Sequence, residues 1–333
     1  MNLSLSSEVI QYLKDRGLLD RGDLNVSVEP FSGGVSSDVV RVQTPNAAFV
    51  LKQALPKLRV QEDWYADLKR GVLERQCLQW AIDVIPHSVP KVLLADDANG
   101  VFAMEYIQGP VWKKELLDGQ VDVNMAVRVG ELLAKVHRQS HRQKENLTAF
   151  FDKQLFYELR IAPYFAFVRD RLGPGEVGVS KQLDDVMEHM MTAQDVLVHG
   201  DFSPKNIILA QRGPILLDWE VAHIGHPSFD IAFLLNHLLL KAMHLPALKH
   251  RFVEAAESFY NAYFSAVEVV SEPALRNITL RTLGALMVAR VDGKSPVEYL
   301  TEAQQNQARQ IGFLLLENSM ASLRELGVAL GTA

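Results

Sequence analysis

The chain has 333 residues, 48% of them hydrophobic and 22% charged, which is ordinary for a globular protein long enough to build two cored lobes. A formal net charge of -6, with no basic tract to offset it, argues against a nucleic-acid partner. A single cysteine, Cys77, excludes an internal disulfide framework and is expected as a small core residue in a reducing compartment.

The N-terminal stretch Met1-Asn2-Leu3-Ser4-Leu5 lacks the basic start and apolar run of a signal peptide. Ser7 is expected to cap a short helix to about Arg16, which Gly17 ends. Strands are expected over Val26–Phe31, Asp38–Gln43 and Ala48–Gln53, with turns at Ser32–Ser37 and Thr44-Pro45-Asn46. A helix fits Trp64–Ile82, because Leu68, Val72, Arg75 and Leu78 recur at helical spacing and the segment closes before Pro86. Two more strands fit Lys91–Ala95 and Val101–Tyr106, joined by a turn at 96–100.

After Gly109-Pro110 helical patterns dominate. Val123–Gln139 carries Met125, Val129, Leu132, Leu133 and Val136 on one stripe. Helices also fit Phe150–Arg171 and Lys181–Ala193, on either side of Gly173-Pro174-Gly175. Residues 199–220 read as loop, short strand, turn at Arg212-Gly213-Pro214, and strand; from Phe229 onward everything reads as helical. Ser295-Pro296-Val297-Glu298 has the form of a helix start, with a serine cap, a first-turn proline and a glutamate reaching back. The most apolar stretch, Ile231–Leu240, is interrupted by Asn236 and His237 and is too short to span a bilayer, so no membrane partner is expected. The sum is an α+β chain: a strand-rich nucleotide-binding part over 1–108 and a helical part over 109–333, the boundary being where nucleotides commonly bind.

The block from His199 to Glu220 carries most of the chemistry. A carboxylate at Asp201, an amide at Asn206 and a second carboxylate at Asp218 have the layout of a phosphoryl-transfer site. Asp201 would accept a hydroxyl proton, and Asn206 and Asp218 would hold Mg2+ against the phosphates of a nucleotide. Upstream, Gly33-Gly34 would let backbone amides approach phosphate oxygens, with Ser36 and Ser37 as hydroxyl donors. Lys52, ending an apolar strand, would meet the α- and β-phosphates, and Glu74 on the next helix would orient it. Glu62 and Asp67 compete for that place; Glu74 is preferred because it shares a helix face with Leu78.

Each element has a plainer reading. Gly33-Gly34 is also an ordinary hairpin turn, Lys52 an edge-strand surface lysine, and Asp201 and Asp218 turn or strand-end caps. Their occurrence in one order favours the nucleotide site. His199, His223 and His226 are not expected to bind a transition metal, since no cysteine is near. Arg290 and Lys294 form a pair suited to an anionic group, but the Asp292-Gly293 turn and the capping box that follows read more simply as a helix end.

Together, Gly33-Gly34, Lys52, Glu74, His199-Gly200-Asp201, Asn206 and Asp218-Trp219-Glu220 resemble the aminoglycoside phosphotransferase and choline kinase family, over nearly the whole chain. The resemblance implies a two-lobed protein-kinase-like fold: an N-lobe with an antiparallel sheet and a helix, and a mainly helical C-lobe that builds the substrate pocket. It implies ATP and Mg2+ as cofactors, with Asp201 as base, Asn206 and Asp218 as metal ligands and Lys52 on the phosphates. It also implies a hinge at Met104–Gln108, so that Glu105 and Ile107 meet adenine through their backbone, and a bracing role for Asp230 behind the catalytic loop. Lys205 and Ser37-Asp38 depart from the usual family pattern, and Lys205 is expected to face solvent.

The implied activity is transfer of the γ-phosphoryl of ATP to a hydroxyl of a small molecule: an aminoglycoside, an amino alcohol or a sugar-like alcohol. A protein kinase is disfavoured because Asp218-Trp219-Glu220 replaces Asp-Phe-Gly and no Ala-Pro-Glu follows; a non-catalytic nucleotide-binding module is disfavoured because lysine, base and metal ligands are all present. No tryptophan lies in the final helical third to cage choline, and Glu254, Glu257, Glu268 and Glu272 are spread as on a solvated face, so the acceptor stays open. A cytoplasmic location is expected, and a homodimer is left open.

Overall fold

In the computed structural model of the chain, which describes all residues except 1, 2, 4, 21, 24, 32–36, 56–67, 270, 332 and 333, Met1–Gly109 supplies α1 (Ser6–Asp15), β1 (Ser27–Pro30), β2 (Ser37–Gln43), β3 (Ala48–Ala54), α2 (Lys69–Val84), β4 (Val92–Asp96) and β5 (Val101–Glu105). Pro110–Leu209 supplies α3 (Trp112–Leu117), α4 (Val123–Gln143), α5 (Gln154–Phe156), a π-helical stretch (Tyr157–Ala166), α6 (Phe167–Arg169), α7 (Val177–Thr192), β6 (Val196–Val198) and the start of β7 (Ile207–Ala210). Strand β8 (Gly213–Leu216) follows. Val221–Ala333 then adds β9 (His223–Gly225), α8 (Ser228–His244), α9 (Lys249–Ala266), α10 (Glu272–Asp292), α11 (Glu302–Leu316) and α12 (Leu323–Ala329). Two units result: Met1–Gly109 with Ala210–Glu220, and Pro110–Leu209 with Val221–Ala333.

The first unit is built on an antiparallel sheet in the order β1-β2-β3-β5-β4. Because side chains alternate along a strand, Phe49 and Leu51 of β3 and Val101 and Ala103 of β5 share one face. There they form a core with Val9 and Leu13, which stand one turn apart on α1. Each of the larger of these side chains, fully buried, contributes about 1.5–3 kcal/mol. Val50, Lys52 and Ala54 point to the other face, where the Cβ of Ala54 is 3.4 Å from where one would stand on Gly71 of α2. Both faces of β3 are therefore covered, and Lys52 sits on a central strand rather than an edge. Ser7 does not cap α1: the helix starts at Ser6, and the carbonyl of Leu5 receives the amides of Glu8 and Val9. Gly17, at φ 73°, ends it as expected.

The second unit is helical around α8. Nearly every residue of α8 is buried, and a helix buried on all sides belongs at the centre of a bundle. Helix α4 lies against α9 at Gly130, where an added Cβ would come within 2.5 Å of the carbonyl oxygen of Phe259. Helix α10 meets α11 at Gly284 and Gly312 in the same manner. The stretch expected as one helix over Phe150–Arg171 is observed in three pieces, with a π-helical middle that contains Pro163. Proline removes one backbone donor from the helix, and the Pro163 carbonyl accepts from the amide of Lys294.

Ser295–Glu298 is not a helix start. Helix α11 begins at Glu302, capped by Thr301 with Gln304 completing the capping box. The reason is the guanidinium of Arg290, whose Nη1 donates to both the hydroxyl and the carbonyl of Ser295. A charge-assisted bond of this kind outcompetes a neutral capping bond. Among the described residues no single helix is long and apolar enough to cross a membrane.

Candidate active site

In the first unit the residues meet around Lys52. Its ammonium lies 2.9 and 2.7 Å from the two carboxylate oxygens of Glu74 and 2.5 Å from Oδ1 of Asp218. Strand alternation explains the placement: Lys52 faces α2, and Glu74 is the buried carboxylate of that helix. Asp218 adopts φ 65°, a left-handed conformation uncommon for a residue with a side chain, after the apolar strand β8. Burial alone would pull the Lys52 pKa down; Asp218, Glu74 and Glu220 outweigh it and hold it raised. Burial also raises the Glu74 carboxyl, against the pull of Lys52, because Asp218 and Glu220 compete for the same cation. Glu220 in turn is 3.3 Å from the Nε of the fully buried Arg70, whose Nη2 donates to the Leu55 carbonyl.

Ser37 opens β2, and its buried hydroxyl has no hydrogen-bond partner among the described residues. The expectations placed on Gly33, Gly34, Ser36, Glu62 and Asp67 lie outside the described residues. Glu105 gives both carboxylate oxygens to Arg212, at 2.8 and 3.0 Å, while its amide donates to the Lys91 carbonyl; Ile107 is buried.

In the second unit the residues meet around Asp201. Strands β6 and β9 pair antiparallel and deliver His199-Gly200-Asp201 at the end of β6. Gly200 has φ 77°, and a Cβ there would stand 2.7 Å from the carbonyl oxygen of Val221, so only glycine fits. Asp230 braces the loop from α8: its Oδ2 accepts from the amide of His199 at 2.6 Å and its Oδ1 from the amide of Gly200 at 3.0 Å. His137 Nε2 donates to the same carboxylate at 3.3 Å, and its Nδ1 then accepts from the hydroxyl of Tyr263 at 2.9 Å.

The carboxylate of Asp201 is buried and faces two cations. Arg160 Nη2 is 3.1 Å and Lys205 Nζ 2.8 Å from its Oδ2, and Arg160 Nε donates to the Gly200 carbonyl. Lys205 thus keeps half its side chain in solvent while its ammonium returns to Asp201. Asn206 donates from Nδ2 to the Asp201 carbonyl at 3.0 Å, which orients its amide oxygen. That oxygen makes no hydrogen bond among the described residues, and amide and carboxylate oxygens are the donors a hard divalent cation takes. Arg160 and Arg70 have no signature in the sequence, because each is one arginine in an ordinary helical stretch.

Comparisons with known proteins identify the family. The family model of the phosphotransferase enzyme family matches residues 27–266. A methylthioribose kinase of Geobacillus thermodenitrificans is 26% identical over 237 residues, which cover 63% of this chain and 59% of that protein. One of Bacillus velezensis is 25% identical over 324 residues, covering 81% and 80%. The chain therefore spans about three fifths of the first of these relatives and four fifths of the other.

Among solved structures, a choline/ethanolamine kinase family protein of Mesorhizobium loti superposes with a TM-score of 0.58 at 18% identity, covering 98% of this chain and 99% of that one. An aminoglycoside phosphotransferase solved with GDP and kanamycin gives 0.54 at 16%, covering 93% and 97%. These likenesses carry the fold, which is the α+β, protein-kinase-like one expected from the sequence. With well over half of its length matched by the family model, the chain belongs to the phosphotransferase enzyme family.

Proposed function

We propose that the chain transfers the γ-phosphoryl of ATP to a hydroxyl group of a sugar-like small molecule in the cytoplasm. Residues 1–108 would bind the nucleotide, and residues 109–333 would carry the base and the acceptor. The observation that carries the reading is the Lys52 cluster. A structural ion pair needs one carboxylate, and burying more than that is expensive; here one ammonium is shared by Glu74 and Asp218. Such an excess of acid around a positioned lysine is suited to phosphates and a divalent cation. The methylthioribose kinases among the relatives support a sugar-like acceptor.

Lys52, oriented by Glu74, would hold the nucleotide phosphates, with the backbone of Glu105 and Ile107 at adenine and Gly33, Gly34, Ser36 and Ser37 at the phosphate turn. Asn206 and Asp218 would hold Mg2+, which when bound neutralises charge on the phosphates. The acceptor oxygen forms its bond to the γ-phosphorus as the bond to the bridging oxygen of ADP breaks. Asp201 takes the hydroxyl proton and passes it to solvent. Asp201 is positioned for this by Arg160 and Lys205, which hold its carboxylate, and by Asp230, which fixes its loop.

The test is Asp201→Asn, assayed by 31P NMR for ATP turnover over a panel of small-molecule alcohols and by calorimetry for nucleotide binding. We expect nucleotide affinity to be retained and turnover to fall by about 10²–10⁴-fold. Unchanged turnover in the variant would remove Asp201 from the mechanism.

A further inference from the structure

Besides Ser228, Asp230 and the terminal His244, the mostly apolar helix α8 carries three polar side chains, Asn236, His237 and Lys241. Lys241 is fully buried, and its ammonium has one hydrogen bond, to the carbonyl of His237 at 3.2 Å. It lies 5.7 Å from the ring centroid of Tyr299, whose buried hydroxyl has no partner among the described residues. Arg290, over the ring of Tyr164 at 6.0 Å, spends Nη1 on Ser295 and leaves Nε without a hydrogen-bond partner among the described residues. The amide of Asn236 is also fully buried, and neither of its ends has a hydrogen-bond partner among the described residues.

Among the described residues neither Lys241 nor Arg290 makes an ion pair; Asp292, the nearest acid in sequence, is held by Arg309 at 2.6 Å. The charges acting on Lys241 and His237 are all cations. Burial and the fields of Lys113 and Arg290 lower the Lys241 pKa to about 7. Burial, then Lys241, Arg290, Lys205 and Lys113, keep His237 neutral. Desolvated cations gathered without a counter-charge are costly, and the cost is met once an anion enters.

This cluster is continuous with the proposed base. Arg160, paired with Asp201, stands 5.9 Å from the ring of Phe233, and that ring is 5.2 Å from His237 and 6.3 Å from Tyr164. We propose that the acceptor carries an oxyanion, a carboxylate or phosphate group, which Lys241, Arg290 and Tyr299 receive while its hydroxyl meets Asp201. This rests on the kinase reading above. Polycationic or quaternary ammonium acceptors are repelled by the same charges. Of the two cations noted in the sequence, Arg290 belongs to this cluster, whereas Lys294 lies 5.5 Å from the ring of Phe167.

The test uses the full chain with ATP and Mg2+ on matched acceptors: glycerol, glycerate and glycerol 3-phosphate; glucose, gluconate and glucose 6-phosphate; choline and kanamycin. We expect transfer to the anionic members, with carboxylate and phosphate series telling the two oxyanions apart. Lys241→Met and Arg290→Met should each raise KM about ten- to a hundredfold, the worth of a charge-assisted hydrogen bond. Equal kcat/KM for neutral or cationic members, with Lys241→Met silent, overturns the inference and leaves the kinase reading standing.

If no acceptor is phosphorylated, the 13Cε titration of Lys241 in the wild-type chain decides. A rise of its pKa on adding inorganic phosphate or glycerate supports the anion site while the kinase reading fails. An unmoved titration overturns the anion site as well. Because this readout needs no variant, misfolding of a substituted chain cannot imitate it.

Discussion

Asp230 carries two backbone amides and an imidazole on one fully buried carboxylate. A carboxylate accepts in all four of its lone-pair directions, and an amide in only two. Asp230→Asn therefore turns an NH2 toward a donor that it cannot satisfy, and the loop bearing Asp201 loses one of its two anchors. The expected cost is about 2–4 kcal/mol of stability, the penalty of an unpaired buried group. Asp184→Asn, which removes one of the two exposed acidic partners of Arg169, should cost less than about 1 kcal/mol. Urea midpoints of the two variants against the parent check the contrast; equal shifts would remove Asp230 as an anchor.

Legibility at this scale follows from how a residue acts. Asp201, Asn206 and Asp218 act at fixed chain spacing, so the sequence shows them. Arg160 acts by reaching across to Gly200 and Asp201 from a helix 40 residues upstream of Gly200, and nothing local marks it. Lys241 did leave a mark: a lysine four residues after His237, closing an apolar run, is a poor fit to a core helix unless something pairs with it.

At the scale of elements, helix contacts in the second unit depend on missing side chains. At Gly284 an added Cβ would lie 2.6 Å from the Gly312 carbonyl oxygen and 2.8 Å from the Cβ of Leu315. Backbone on the far side cannot yield as a flexible side chain would, so Gly284→Ala should lower stability by about 1–3 kcal/mol as the two helices are forced apart. Gly178, near the start of α7, has open space around its Cβ position. Gly178→Ala there gains helix propensity and should stabilise by up to about 1 kcal/mol. Thermal midpoints of opposite sign are the expected outcome; Gly284→Ala at or above the parent midpoint would refute the close packing.

The sequence placed the strands of the first unit because alternation reflects burial, and burial is what the fold imposes, but it missed the short strands β6 and β9 of the second. It misplaced the start of α11 because Ser295 satisfies a capping pattern locally while Arg290, five residues earlier, takes its hydroxyl and carbonyl. It did not show the π-helical middle of Tyr157–Ala166, which the long-helix pattern concealed. Nor did it show that Ala210–Glu220 returns to the first unit, since unit membership comes from contacts distant in the chain.

For the molecule as a whole, buried bases set how stability follows pH. His223 stacks on Phe156 at 4.0 Å, donates from Nδ1 to the Val221 carbonyl, and is driven by burial from 6.5 to about 4. Lys241 is driven from 10.5 to about 7. In both cases the unfolded chain holds a proton that the native chain lacks, between pH 4 and 6.5 for His223 and between pH 7 and 10.5 for Lys241. Stability rises with pH wherever the unfolded state binds more protons. The His223 contribution is thus complete above pH 6.5 and lost as pH falls toward 4, a span of about 3 kcal/mol at 1.36 kcal/mol per pKa unit. The Lys241 penalty is complete below pH 7 and relieved as pH rises toward 10.5, a span of about 5 kcal/mol by the same conversion.

Other groups titrate in these windows, so the informative quantity is the difference between variant and parent at each pH. Lys241→Met should stabilise most at pH 6 and progressively less toward pH 10, where parent and variant converge. His223→Phe should show its advantage only below pH 6. Denaturant midpoints measured from pH 4 to 10 test both, and a Lys241→Met difference independent of pH would mean that burial does not lower the pKa of Lys241.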